Sequence, residues 1–92
     1  MVQTSQQSKH TQLDALASAY LEALLEGNRE KASGLIEEAV SKDSTIKDLY
    51  LRVFQPTLYE VGRLWENDII SVAVEHFCTA ATQMIMSQLY PI

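Results

Sequence analysis

Nine residues separate Trp65 from the adjacent pair Glu75-His76. Tryptophan carries the largest apolar side-chain surface, and imidazole is the usual nitrogen ligand for a protein-bound metal. An aromatic lid and an imidazole at the two ends of one helix–turn–helix suit a large planar cofactor with a metal at its centre. The same residues also suit an ordinary core, with Trp65 buried and His76 hydrogen-bonded inside. The elements that position them decide between the two.

Other chemistry has little to build on. The three glycines, Gly27, Gly34 and Gly62, are scattered and form no phosphate loop. The one cysteine, Cys78, rules out an intrachain disulfide and a Cys-pair zinc site. It follows His76 by two positions, so on a helix the two point about 200° apart and cannot chelate one ion. The second histidine, His10, sits in a polar N-terminal stretch. No nucleophile motif is present, so no enzymatic activity is expected of this segment. Glu60 and Arg63 read as a surface i,i+3 pair, and Met84 and Met86 as core filling.

The chain of 92 residues is the size of one domain. Its net charge of −5 suits a phosphate backbone poorly, so no direct nucleic-acid binding is expected. Residues 1–10 are Gln/Ser-rich and lack an apolar signal run; they are expected to be disordered, with the folded domain at 11–92. The single cysteine fits a reducing compartment, and the cytoplasm is the expected location.

Helix signals dominate from Thr11 onward. Thr11 with Asp14 resembles a capping pair, and Leu13, Leu16, Tyr20 and Leu24 make one apolar stripe ended by Gly27. Asn28 is placed to cap a second helix, with Ala32, Leu35, Ile36 and Ala39 on its stripe. Thr45 with Asp48 starts a third, through Ile46, Leu49, Val53 and Phe54. Pro56 has no N–H for the carbonyl of Arg52 and crowds it, so this helix is expected to break near Pro56. The helical period resumes through Leu58, Val61, Leu64 and Trp65. Glu66-Asn67-Asp68 is a stop signal, with Asn67 expected at positive φ. Ile69-Ile70 reads as extended and Ser71 as the cap of a last helix. That helix should end near Leu89, with Pro91 preventing extension. The fold expected is an all-α antiparallel four-helix bundle.

From Ser71 to Ile92 the one formal charge is Glu75. A helix without a charged face is usually buried on most sides, so the last helix is expected at the centre, with some surface left for a partner domain. Its polar interruptions argue against a membrane span.

The run Val61-Gly62-Arg63-Leu64-Trp65-Glu66-Asn67-Asp68-Ile69-Ile70-Ser71-Val72-Ala73-Val74-Glu75-His76 resembles the signature of the helical cap of cobalamin-binding modules. That pattern is V-G-x-L-W (or F), a short turn, an I-x-V stretch and then Glu-His. Such caps occur in methionine synthase and corrinoid methyltransferase proteins. The Trp to Glu-His spacing is most similar to cobalamin-dependent photoreceptor regulators. Leu24-Leu25-Glu26-Gly27-Asn28 looks like the family's first inter-helix turn, and Pro56 falls where its third helix breaks. The resemblance covers about residues 12–91.

The resemblance implies a four-helix bundle over the upper face of a corrin ring. Trp65 would cover the upper axial ligand, the 5′-deoxyadenosyl or methyl group of adenosylcobalamin or methylcobalamin. Glu75 would hydrogen-bond that ligand or its ribose. His76 would lie near cobalt's upper position and ligate it once the alkyl group leaves. Val61 and Leu64 would support Trp65. In the family, cobalamin is held mainly by a following Rossmann-like α/β domain with a D-x-H-x-x-G motif. No glycine follows position 62 here, so the chain reads as a fragment of a longer protein. Alone it is expected to bind little cobalamin and to self-associate as a homo-oligomer. The expected role is a cap in a sensor; the alternatives are the cap of a corrinoid methyl carrier and a cofactor-free dimerising module.

Overall fold

Gly27, Asp43 and Asp68 turn the chain, with φ of 75°, 71° and 59°. They separate four helical rods in a computed structural model that describes residues 2–90. The first rod is α1 (Val2–Leu25) and the second is α2 (Arg29–Ser41). The third is a continuous run of α3 (Ile46–Leu49), a π segment (Tyr50–Phe54) and α4 (Gln55–Glu66). The fourth is α5 (Val72–Leu89). The fold is an all-α four-helix bundle, with no strand among the described residues. The short links at Gly27 and Asp68 set α1 against α2 and α4 against α5, and α1 also packs on the third rod. No helix among the described residues is long and apolar enough to cross a membrane.

The three links share one local chemistry. At the end of α1 the Asn28 N–H reaches the Ala23 carbonyl (2.8 Å) and the Gly27 N–H reaches Leu24 (2.9 Å). After α2, Ser44 bonds Ala39 and Asp43 bonds Val40, both at 3.0 Å. After α4, Ile69 bonds Leu64 (2.8 Å) and Asp68 bonds Trp65 (3.0 Å). Each is a Schellman pair, which satisfies carbonyls that a helix end leaves without partners and needs a left-handed residue at its apex. After α4 that residue is Asp68, whereas Asn67 keeps φ −96°. Asn67 instead donates from its side-chain amide to the Arg63 carbonyl at 2.8 Å.

Each following helix begins on a side-chain cap. Asn28 Oδ1 accepts from the Lys31 N–H and Thr45 Oγ1 from the Asp48 N–H, both at 3.0 Å. Ser71 Oγ accepts from the Val74 N–H at 3.2 Å. Thr11 starts nothing, because α1 begins at Val2 and passes through it. Residues 2–10 hold no Gly or Pro to stop a helix that the packed part of α1 already nucleates. The expected disordered lead-in is therefore helical from Val2. Pro91, expected to stop α5, lies outside the described residues.

Pro56 is accommodated within the third rod. The Gln55 N–H bonds the Tyr50 carbonyl five residues back, and the backbone stays right-handed at Phe54 and Gln55. The π segment widens the turn just ahead of the proline. An α-helical turn would aim the ring at the Arg52 carbonyl; the wider turn removes that conflict, and the rod continues.

α1, and not α5, is the central helix. It packs against α2, the π segment, α4 and α5. Tyr20, Ala23 and Leu24 are fully buried, and the Phe54 ring meets Tyr20 edge-on at 5.7 Å. Lys9–Asp48 (3.3 Å) and Asp14–Arg52 (3.5 Å) tie α1 to the third rod at the surface. α5 buries one side, through Cys78, Ala81, Thr82 and Ile85. Val72 and Met84 stay about half exposed, at 50% and 47%. The missing charges on α5 are replaced by small and neutral polar groups, which water tolerates, so a chargeless face is left open.

Candidate functional site

α4 ends and α5 begins at the same end of the bundle, joined by residues 67–71. Val61 is buried in α4 and Leu64 is half-buried. Trp65 follows Val61 by four positions, on the same side of the helix but one turn further out. It projects beyond the packed core and is 46% exposed. Ile69, at 62%, and Val72 are exposed near it in sequence, in the link and in the first turn of α5. Three large exposed apolar groups thus fall in and around the link between α4 and α5.

The first turns of α5 carry the ionisable pair. The Ser71 cap and the positive end of the helix favour a carboxylate there. Glu75 is mostly sunk, at 23% exposed, and His76 stands out at 77%. His76 Nδ1 lies 2.9 Å from Glu75 Oε1. The two groups lie side by side at ion-pair distance, without the alignment of a hydrogen bond. The other carboxylate oxygen, Oε2, accepts from the Thr79 hydroxyl at 3.1 Å. In the sequence, the one signal for Thr79 is its i,i+4 spacing from Glu75.

These positions exclude the ordinary-core alternative, since neither Trp65 nor His76 is interior. They also exclude a self-contained metal centre. No group of three or more His, Cys, Asp or Glu among the described residues could hold an ion. His76 offers one ligand atom, which is useful to a metal whose other ligands come from elsewhere. Cys78 is buried on the inner side of α5 and takes no part.

A shallow cleft lies elsewhere, between the start of α2 (Arg29, Ser33) and the second half of α5 (Met84, Gln88). Its volume of about 170 Å³ is well below that of a typical ligand pocket, and none of the residues above line it. The candidate site is thus an open surface, which can cover one side of a flat ligand and cannot enclose it. Glu60 and Arg63 pair on the outer side of α4 through two bonds, at 2.9 and 2.7 Å. Arg63 holds the Glu60 carboxyl below its ordinary value, which identifies a surface ion pair and not a reactive group.

A family model described as a B12 binding domain matches residues 16–90, a span that contains Val61, Leu64, Trp65, Glu75 and His76. No curated protein and no solved structure gives a significant match.

Proposed function

This chain belongs to the B12 binding domain family, the helical cap domain of cobalamin-binding proteins, and we propose that it roofs the upper axial face of cobalamin in a sensor or regulatory protein. The observation that carries this reading is a projecting Trp65 at the end of α4 together with an exposed His76, beside Glu75, in the first turns of α5. One exposed imidazole, with no second ligand group among the described residues, fits a cofactor that brings its own metal and would take a single further ligand from the protein. Bound cobalamin supplies a labile cobalt–carbon bond. Trp65 covers the alkyl ligand and shields it from water. Glu75, with its remaining acceptor capacity, orients a ribose hydroxyl. His76 would hold the cofactor's metal through its imidazole, and Val61 and Leu64 fix where Trp65 sits.

The imidazole favours a sensor over a methyl carrier. A carrier must keep the upper face clear for a donor and an acceptor in turn, whereas a ligand beside the alkyl group suits a response to its loss. The domain itself makes and breaks no covalent bond in this role. The floor of the site is assigned to a Rossmann-like domain in cis, with which this family typically pairs. The open apolar groups Trp65, Ile69 and Val72 then face the cofactor and that domain. In the chain alone they favour self-association.

The test is a titration of the intact protein, cap and companion domain together, with adenosylcobalamin in the dark. A change in the cobalamin spectrum that Trp65→Ala weakens, followed by a light-dependent change whose final spectrum His76→Ala alters, is expected. No spectral change would overturn the reading. Methyl transfer from a partner enzyme without a light response would assign the cap to a methyl carrier.

A further inference from the structure

We propose that Gly62 is a specificity-determining residue of the roof: its missing side chain leaves a recess at the foot of Trp65 that admits an upper axial group bulkier than methyl. That Trp65 roofs a cobalamin rests on the function proposed above. The recess itself is a feature of the chain alone, and part of the test reads it without any cofactor.

A glycine inside a helix gives up more backbone entropy than alanine and lowers helix stability. Three features of a fold commonly offset that: a left-handed backbone, a turn, or the close approach of another element. None of them holds at Gly62. It lies in the interior of α4 (Gln55–Glu66), without the positive φ of Gly27. A Cβ added there meets nothing within 4 Å. No other helix, and no side chain from the turns above and below, presses on that spot.

The neighbours of the bare position turn it toward a ligand. Trp65 follows Gly62 by three positions and Leu58 precedes it by four, so the three share one side of α4. Leu58 is half-buried, and Trp65 projects beyond it. Helical side chains lean toward the N-terminus, so the indole leans over the turn that holds Gly62. The added Cβ still touches no atom of that ring. Beside a projecting flat ring the surface thus drops to bare backbone. A group laid against Trp65 from outside can sink to the Gly62 Cα, where any other residue would hold it off. A methyl group needs no such depth; a nucleoside does. Gly34 in α2 is equally open, but the residues on its side of the helix, Glu30, Lys31, Glu37 and Glu38, are exposed charges. Its opening therefore meets solvated charge and no aromatic group.

The experiment titrates the intact protein, cap and companion domain together, with adenosylcobalamin and separately with methylcobalamin in the dark. Gly62→Leu should weaken adenosylcobalamin by about tenfold or more, because it overfills the recess, and methylcobalamin by less than about threefold. Gly62→Ala should fall between parent and leucine, and it carries the comparison should the leucine variant be destabilised. Gly34→Leu should leave both affinities unchanged. Thermal melts of the 92-residue chain read the recess without cofactor. Gly62→Ala should raise the melting temperature by about 2–8 °C, since it adds helix propensity and meets no obstruction. A lower melting temperature would show that the bundle itself requires the glycine and would overturn the assignment. Equal losses for the two cobalamins, which a companion domain packed on Gly62 would produce, would overturn it as well, and so would unchanged affinities. A parent protein that binds neither cobalamin would overturn the function proposed above and the role of Gly62 with it. A parent that binds both, with Gly62 variants that do not discriminate, would overturn the recess alone.

Discussion

The hydroxyls of Tyr20 and Thr82 lie 2.8 Å apart in the interior and join the central helix α1 to α5, which carries Glu75 and His76. Both side chains are fully buried. Each hydroxyl relieves the other of the cost of leaving water, and their match sets how far along α1 the helix α5 can slide. An apolar pair would permit neighbouring registers at little cost. A bond between buried hydroxyls does not, because the displaced register leaves both without it.

Tyr20→Phe should therefore destabilise the chain by about 1–3 kcal/mol, mostly through the stranded Thr82 hydroxyl. Thr82→Val in the same chain should recover part of that loss, because the second polar group is then gone too. Urea unfolding of both single variants and the double variant measures the coupling. Additive losses would show that the two hydroxyls act separately.

Burial pushes the Tyr20 phenol up to about 12, with the Thr82 hydrogen bond offsetting part of the rise. The neutral form is thus favoured by folding. Its contribution is fully present below the unfolded value near pH 10 and is lost as pH rises through about 12, a change of about 2–3 kcal/mol. Burial, with the Glu75 charge second, also pushes up the Cys78 thiol. That contribution has the same sign and starts to fade lower, near about pH 8.5. Unfolding free energy should fall in two stages across the alkaline range. Tyr20→Phe should flatten the upper stage, and Cys78→Ala the lower.

Trp65→Ala should cost less than about 1.5 kcal/mol, because nearly half of the ring already faces water. A fully buried tryptophan would cost about 3–5 kcal/mol. Val61→Ala, one turn inward and buried, should cost about 1–3 kcal/mol although it removes far fewer atoms. Denaturant titrations rank the two. A larger loss at Trp65 would place the ring in the core and remove the basis for a roof.

Asp68→Gly should stabilise the chain by about 0.5–1 kcal/mol. The position has φ 59°, which glycine adopts freely, and the change also removes a negative charge from the negative end of α4. Gly27→Ala should have the opposite effect, about 1–2 kcal/mol, from backbone strain alone, since an added Cβ there meets nothing within 4 Å. Thermal melts of the two variants should move in opposite directions.

The number of helices, their caps at Asn28, Thr45 and Ser71, the turn at Gly27 and the end near Leu89 were legible in the sequence. These features are set within a few residues, by side-chain oxygens, helical period and a glycine at positive φ. The Val61–His76 run identified the family for the same reason, since a motif is a local spacing. Some local details were beyond that reading: Thr11 resembles a cap but is passed over by a helix that nothing upstream stops, and Asp68 takes the left-handed position in place of Asn67. At Pro56 the choice between ending a helix and widening one turn depended on the packing of Val53 and Phe54 against α1, which rewards a continuous rod. Tertiary structure alone decided that α1 and not α5 is central, that Trp65 and His76 face outward, and that Tyr20 meets Thr82. Burial is a property of what the other helices leave uncovered. An uncharged α5 is compatible with a buried or an open face, and only the packing of four rods determines which side of it meets water.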